Sequence, residues 1–189
     1  MKRRSAWLSF GVLALFVVAL KAMPQSKTPV HVDVPVVDAR PEDVGSIDGI
    51  IKATYETISG GVGVPRQWGR DLTLFDPHSR LLSPHADPKT GAIRVFNDSH
   101  QEYVDGGDPI MVKEGFTERE LGRVVKQYGN VATVLSSYEG KFASTGKVLA
   151  RGVNIFTLYN DGKRWWILSI IWDEEKPDRP IPADLLPKG

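Results

Sequence analysis

The chain has 189 residues, no cysteine and a nearly balanced charge, with 24 Lys and Arg against 23 Asp and Glu. Without cysteine it can form no disulfide, no thiolate nucleophile and no zinc–cysteine site. No block of like charge indicates a surface for a polyanion, so we expect no nucleic-acid partner.

Residues 1–22 have the layout of a signal peptide. Lys2-Arg3-Arg4 precede the uncharged run from Trp7 to Leu20, which places a basic region before an apolar one. As a helix the run would span only about 21 Å, less than the roughly 30 Å hydrocarbon core. An uncleaved membrane anchor stays open as the alternative, because Leu20 stands where a cleavage site prefers a small residue. We therefore predict export to the periplasm or the medium, with membrane contact only through residues 1–22 if they are retained.

The rest of the sequence divides into three parts. Prolines interrupt residues 23–41, which are expected to form an extended linker. Residues 42–176 are expected to form a single domain with a core of its own. Residues 177–189 are rich in proline and are expected to form a tail that lies along a surface.

Three helices are predicted at the start of the domain. The first has an apolar stripe with a 3.6-residue period and ends at Ser59-Gly60-Gly61. A short helix is expected after Pro65, and another follows the capping box Ser99 to Glu102 but closes early at Gly106–Pro109. Residues 76–98 contain several prolines and predict loops. The stripe of the first helix consists of Ile47, Ile50, Ile51, Thr54, Tyr55 and Ile58.

Four consecutive antiparallel strands are predicted from Gly115 to Asp173, with Gly129-Asn130 and Asn160-Asp161-Gly162 as hairpin turns. The last strand separates into two apolar sets, which predicts cover on both faces. These sets are Trp166, Leu168, Ile170 and Trp172 against Trp165, Ile167, Ser169 and Ile171. The order of elements predicts an α+β fold, in which a cone-shaped, curved antiparallel sheet wraps around about three N-terminal helices.

Four segments carry a resemblance to a known superfamily. They are Ile58-Ser59-Gly60, Trp68-Gly69-Arg70-Asp71-Leu72 with Leu74-Phe75, Tyr128-Gly129-Asn130-Val131-Ala132, and Arg151-Gly152-Val153-Asn154 leading to Asp161 to Trp166. Over roughly residues 43–175 the chain resembles nuclear transport factor 2-like domains of the SnoaL-like and ketosteroid isomerase-like sort. The resemblance implies a cavity between the first helix and the concave sheet, and a homodimer formed through the sheet. It does not fix an activity, since such domains include isomerases, dehydratases and modules that only bind.

An isomerase of this sort needs a carboxylate base in an apolar pocket and a phenol or protonated acid that holds an oxyanion. The carboxylates nearest the expected cavity are Asp71, Glu139 and Asp173, of which Asp71 is the candidate catalytic base. A salt-bridged surface aspartate is the alternative interpretation of Asp71. The side chains expected to line the pocket and bind a ligand are Tyr55, Trp68, Tyr138, Asn154 and Trp172.

Other polar residues receive structural interpretations. Glu139 and Arg151 lie on neighbouring predicted strands and are expected to form a structural ion pair. The histidines fall in the linker, in loops and at a helix start, and His100 is interpreted as solvated. We therefore expect no metal site and no cofactor. The four histidines are His31, His78, His85 and His100.

The sequence thus predicts an exported domain of unassigned activity that binds a small apolar ligand or a protein partner in its cone. The alternative is an isomerase or lyase acting on a small carbonyl or polycyclic substrate. A pocket lined only by apolar side chains favours binding. A buried Asp or Glu inside the cavity, within hydrogen-bond reach of a tyrosine or histidine, favours catalysis.

Overall fold

The computed structural model describes residues 30–187, so the predicted signal segment and the start of the linker lie outside the described residues. Within this range, no helix is long and apolar enough to cross a membrane. The elements in chain order are α1 Pro41–Val44, α2 Ile47–Ile58, α3 Trp68–Leu72, β1 Phe75–Ala86, β2 Ile93–Asp98, α4 His100–Glu114, β3 Phe116–Tyr128, β4 Val131–Phe142, β5 Val148–Asn160, β6 Trp165–Glu174 and a 3₁₀ turn Ala183–Leu185.

The six strands form one curved sheet in the order β2-β1-β6-β5-β4-β3. Neighbouring strands are antiparallel, except that β1 runs parallel to β6. Helix α2 lies on the concave face, where its Ile50 and Ile51 join the buried Phe156 and Ile167 in one core. The α+β class predicted from the sequence is therefore confirmed, with two more strands than expected.

The additional strands come from residues 76–98, which were wrongly predicted as loops. Leu81 to Ala86 pair with Ile93 to Asp98 in a hairpin. Pro84 is tolerated because the pairing of β1 with β6 ends at Leu82, so that β1 has only one neighbouring strand at the proline. The Pro-based loop signal was overridden by this hairpin pairing.

Helix α4 also runs beyond its predicted end. Its N-terminus has the predicted capping box, but the helix continues through Pro109 to Glu114. A proline inside a helix removes one backbone hydrogen bond. Tertiary contacts hold this part of the helix, since Asp105 accepts the Val32 N–H at 2.9 Å and Asp108 accepts the Trp68 Nε1–H at 2.6 Å.

A bulge in β6 overturns the predicted division of the tryptophan strand. Thr157 pairs with Ser169 and Leu158 with Ile167, which leaves Leu168 as an extra residue. Strict alternation fails at such a bulge. One face of β6 is therefore buried, through Trp165, Ile167 and Ile170, and the other is not, since Leu168 and Ile171 are 43% and 42% exposed.

The C-terminal tail crosses the convex face of the sheet. Leu185 is buried there, and its carbonyl accepts a hydrogen bond from the Ser137 hydroxyl. A Cβ at Gly122 would lie 2.6 Å from this carbonyl oxygen, so the tail can approach β3 only where the strand has a glycine. The tail thus covers the β3–β4 half of the convex face and leaves the β5–β6 half exposed.

Candidate functional site

Five polar side chains form a hydrogen-bonded chain on the concave face, beneath helix α2. Asn154 donates from Nδ2 to Glu118 Oε1 at 3.4 Å and to the Tyr55 hydroxyl at 3.2 Å. The Tyr55 hydroxyl lies 2.7 Å from Ser136 Oγ, which donates to Glu120 Oε1 at 2.6 Å. We call these residues, Glu118, Asn154, Tyr55, Ser136 and Glu120, the polar row.

Strand β3 supplies both carboxylates because of its alternation and its bulge. Glu118 and Glu120 are two residues apart and so point to the same face. A bulge between Glu120 and Gly122 then brings Arg123 to this face as well. Arg123 donates to Glu120 at 2.6 Å, a contact that regular alternation would have prevented.

The backbone around Glu118 is clamped to the end of helix α2. The Glu118 N–H donates to Ser59 Oγ at 2.9 Å, and the Gly60 N–H donates to the Phe116 carbonyl at 2.6 Å. The buried Arg66 guanidinium donates to the same carbonyl at 3.0 Å. These bonds fix the start of β3 relative to the helix that carries Tyr55.

Two glycines on the concave face leave room for neighbouring aromatic side chains. A Cβ at Gly152 would lie 2.8 Å from the Tyr138 hydroxyl oxygen, and one at Gly140 would lie 3.1 Å from the Phe116 ring. Tyr138 and Tyr103 form no side-chain hydrogen bond with any other residue in the range 30–187. Their hydroxyls are therefore not engaged by the part of the protein that is described.

The electrostatics of this region keep protons on its acidic groups. Burial raises the pKa of the Glu118 carboxyl to about 7, against the lowering effect of the hydrogen bond from Asn154. Burial, together with the charge of Glu118, raises the pKa values of Tyr55, Tyr103 and Tyr138. At neutral pH the site thus holds a partly ionised carboxyl group beside three protonated phenols.

An open groove of about 440 Å³ between α2 and β3 gives access to Glu118 and Tyr55. Its rim is charged, but its cations are already paired with acids. Lys52 lies 3.3 Å from Glu56, and Arg119 lies 3.1 Å from Glu139. The groove therefore offers a small molecule a route to the carboxyl group without presenting a free cluster of one charge.

A second buried polar group joins α3 to α4. Asp71 and His100 are only 1% and 6% exposed, and His100 Nε2 lies 2.8 Å from Asp71 Oδ2. Thr57 donates to the other carboxylate oxygen. His100 Nδ1 is buried without a hydrogen-bond partner among residues 30–187. Within the same residues, no three His, Asp or Glu side chains converge as a metal site would require.

This pair corrects two interpretations made from the sequence. Asp71 is not a surface aspartate paired with its neighbour, because Arg70 binds Asp43 at 2.7 Å instead. His100 is not solvated at a helix start, because its ring packs on Phe75 at a centroid distance of 4.9 Å. Adjacency in sequence suggested the wrong partner for Asp71, since the correct one is 29 residues away.

The predicted pocket residues lie in two groups. Tyr55, Tyr138 and Asn154 point into the concave face with the polar row. Trp172 and Trp68 each lie edge-on to the Tyr103 ring with centroids 6.3 Å apart. Trp68 belongs to a separate apolar cluster beside α4 and donates to Asp108, so it borders the site rather than lining it.

The expected ion pair between Glu139 and Arg151 is only marginal. Their closest atoms are 4.0 Å apart, whereas Glu139 lies 3.0 Å from Lys141 and Arg151 lies 3.1 Å from Glu175. The Arg151 side chain is also 36% exposed, so the pair is not enclosed in the core. Glu139 and Arg151 face the convex side, opposite to Tyr138, and so take no part in the concave site.

Asp173, the third carboxylate that was expected near the cavity, forms an ion pair with Arg179 of the tail at 2.8 Å. Glu118 and Glu120 were missed by sequence analysis. Alternation from Phe116 does place both on one face. That this face carries helix α2 becomes visible only from the contacts of Asn154, which donates to both Glu118 and the Tyr55 hydroxyl.

No protein-family model matches the sequence, and no curated protein matches it significantly. Solved structures do share its fold. A protein of unknown function from Mycobacterium tuberculosis is 16% identical with a TM-score of 0.53, over 73% of this chain and 80% of that chain. A domain of unknown function with a cystatin-like fold from Nostoc punctiforme is 8% identical with a TM-score of 0.50, over 78% of this chain and 82% of that chain.

A nuclear transport factor 2-like protein of unknown function from Shewanella baltica is 10% identical with a TM-score of 0.44, over 69% of this chain and 91% of that chain. At these identities the likeness concerns the fold alone and carries no activity. The two structures with TM-scores of 0.53 and 0.50 share the curved α+β fold of this chain, the fold class that the sequence predicted.

The raised pKa of Glu118 predicts a pH-dependent cost to folding. Between the ordinary value of 4.5 and about 7, the folded protein holds a proton that the unfolded chain has lost, so stability falls as pH rises through this window. Glu118→Gln removes the titrating group. We expect the variant to gain stability relative to wild type between pH 4 and pH 8, by up to about 3 kcal/mol, as measured by urea unfolding.

Glu139→Gln is the matched control. Hydrogen bonds from Lys141 and Arg119 lower the pKa of Glu139, so its contribution to stability is present above its unfolded pKa and is lost in acid. Relative to wild type, the free energy of unfolding of this variant should therefore be lower at pH 8 than at pH 4. Identical pH dependence in wild type and Glu118→Gln would contradict the assignment of Glu118.

Proposed function

We propose that the domain is an acid–base enzyme, an isomerase or lyase that acts on a small carbonyl compound with Glu118 as the proton-transferring group. One observation carries the proposal. A carboxyl group whose pKa lies near neutrality lines an open groove. Burial and the charge of Glu118 raise the pKa values of Tyr103 and Tyr138, whose hydroxyls no described residue engages. A base is most effective when its pKa is close to the working pH.

The chemistry follows from the roles that these groups can take. Ionised Glu118 would remove a proton from the carbon next to the substrate carbonyl, and the electron pair would move onto the carbonyl oxygen. The hydroxyl of Tyr138 or Tyr103 would donate a hydrogen bond to this enolate oxygen. Return of the proton to a different carbon gives an isomer, whereas departure of a group from the β-carbon gives an unsaturated product.

A domain that only binds an apolar ligand or a protein partner is the second candidate. The mutual hydrogen bonds of the polar row favour it, because buried polar groups must be satisfied whether or not they act on a substrate. One feature supports catalysis over binding alone. The concave face is not purely apolar, because the Glu118 carboxyl group lies there and lines the groove.

Proton abstraction can be measured without knowledge of the product. A panel of small ketones and enones is incubated with the protein in D₂O, and loss of the α-proton signal is followed by NMR. We expect exchange by wild type that rises as pH passes through about 7, the pKa of Glu118. Glu118→Gln should slow it by about 10²-fold or more, because it removes the base.

Glu139→Gln serves as the control, since it makes the same chemical change on the convex side of the neighbouring strand. It should leave the exchange rate unchanged. Exchange that survives in Glu118→Gln would exclude Glu118 as the base. Absence of exchange for every compound in wild type, with saturable binding of the same compounds, would favour the binding domain.

We also propose that the protein is a homodimer through the convex face of the sheet. In support, Ile155 and Ile171 pair directly across β5 and β6, and with Leu168 they are about two-fifths exposed. Ile171→Glu should give the monomer mass in light scattering, because it places a charge in an apolar interface. Val95→Glu, on the distant exposed strand β2, should leave the dimer intact. A wild-type monomer at micromolar concentration would refute the proposal.

Export is proposed from the N-terminal sequence. A basic cluster before an uncharged apolar run supports either a cleaved signal peptide or a retained anchor. N-terminal sequencing of the protein from the exported fraction distinguishes them. Cleavage after Ala22 predicts a mature protein that begins at Met23, whereas an anchored form keeps residues 1–22 and stays with the membrane. Recovery of the full chain from the cytoplasm alone would refute both.

A further inference from the structure

The hydrogen bonds of the polar row can run in only one direction. Glu120 stands at one end, and the Ser136 hydroxyl donates its single hydrogen to this carboxylate. Ser136 must therefore accept from Tyr55, at 2.7 Å. The Tyr55 oxygen, with its hydrogen committed, must accept from Asn154. Each donor assignment forces the next, because a hydroxyl has one hydrogen to donate.

The direction of these hydrogen bonds decides whether the nitrogen or the oxygen of the Asn154 amide faces Tyr55 and Glu118. The Nδ2 atom lies within reach of both the Tyr55 oxygen and Glu118 Oε1. With the amide turned around, its oxygen would oppose two acceptors, the Tyr55 oxygen and an ionised Glu118. The observed orientation stabilises the ionised form of Glu118, whereas the reversed orientation would suit only the protonated carboxyl group.

We propose that Ser136 and Glu120 are positioning residues, which through Tyr55 hold the Asn154 amide with its N–H directed at Glu118. Neither side chain is hydrogen-bonded to Glu118, and they act by fixing the orientation of a hydrogen-bond donor. Their importance for turnover rests on the proposed function, but the orientation itself does not.

Other charged and titratable groups near Glu118 also affect its titration, and their effect can be distinguished from that of the Asn154 amide. Glu120 and Arg119 are its neighbours on β3, Tyr55 faces it from α2, and Tyr138 and Tyr103 approach from β4 and α4. A neutral substitution at Ser136 changes none of these charges. A change in the titration of Glu118 in such a variant would therefore report on the hydrogen-bonded row.

The experiment is a carboxyl ¹³C NMR titration of protein labelled at glutamate, with the Glu118 signal assigned by its loss in Glu118→Gln. Ser136→Ala should move the Glu118 midpoint upward by roughly one pH unit, since it frees the amide to turn and lose its donation to a charged group. Ser136→Thr, which keeps the hydroxyl, should restore the wild-type midpoint.

Ser137→Ala is the matched control. Ser137 is the adjacent residue, is also fully buried and points to the opposite face, where its hydroxyl donates to the Leu185 carbonyl. It should leave the Glu118 midpoint unchanged. Equal shifts in Ser136→Ala and Ser137→Ala would mean general loosening of β4 and would overturn the proposal, as would no shift in Ser136→Ala.

A double-mutant cycle tests whether Ser136 acts through the amide. In an Asn154→Ala background, Ser136→Ala should produce no further shift of the Glu118 midpoint, and a full additional shift would overturn the proposal. If Ser136→Ala does not fold, Tyr55→Phe breaks the row at its centre and should shift the midpoint in the same direction. If Ser136 affects the Glu118 midpoint through Asn154 but no substrate exchanges a proton, the proposed function is refuted and this inference stands.

Discussion

The burial of the Tyr55 hydroxyl is the constraint on which the interior depends. The apolar stripe of helix α2 packs against the sheet. Because Tyr55 belongs to that stripe, its hydroxyl is buried in the core. A buried hydroxyl without partners costs free energy, and this cost is met only by polar groups on the opposing strands. Ser136 on β4 and Asn154 on β5 supply them. The row that satisfies Tyr55 also brings a hydrogen-bond donor to Glu118.

Arg66 holds the frame around this row in a chain that has no cysteine. The guanidinium is 5% exposed and donates to the carbonyls of Ile58, Gly61, Val64 and Phe116. One side chain thus ties the end of α2 to the loop that follows and to the start of β3. A lysine could not replace it, because an ammonium group offers three donors and no planar fork.

Short-range patterns in the sequence predicted those helices and turns that depend on neighbouring residues alone. The apolar stripe gave α2 to within a residue, and Gly129-Asn130 gave the hairpin of β3 and β4. The errors occur where distant contacts override a local signal, as at Pro109 inside α4 and at Leu168 in the bulge of β6. Glu118 belongs to this second kind, because its surroundings are set by distant residues, Ser59 of the α2 end and Asn154 of β5.

The carboxyl groups of Asp71 and Glu118 differ in how many of their oxygens are already hydrogen-bonded. Asp71 accepts from Thr57 and faces His100, so both of its oxygens are engaged within the helices that it joins. Glu118 receives a single long bond from Asn154 and opens to the groove. A carboxylate with saturated oxygens organises a fold, whereas one with a free oxygen and a raised pKa can exchange a proton with a ligand. Asp71, the predicted base, contacts Thr57 of α2 and His100 of α4, whereas Glu118 is the carboxyl group that lines the groove, and for this reason the proposed activity assigns the base to Glu118.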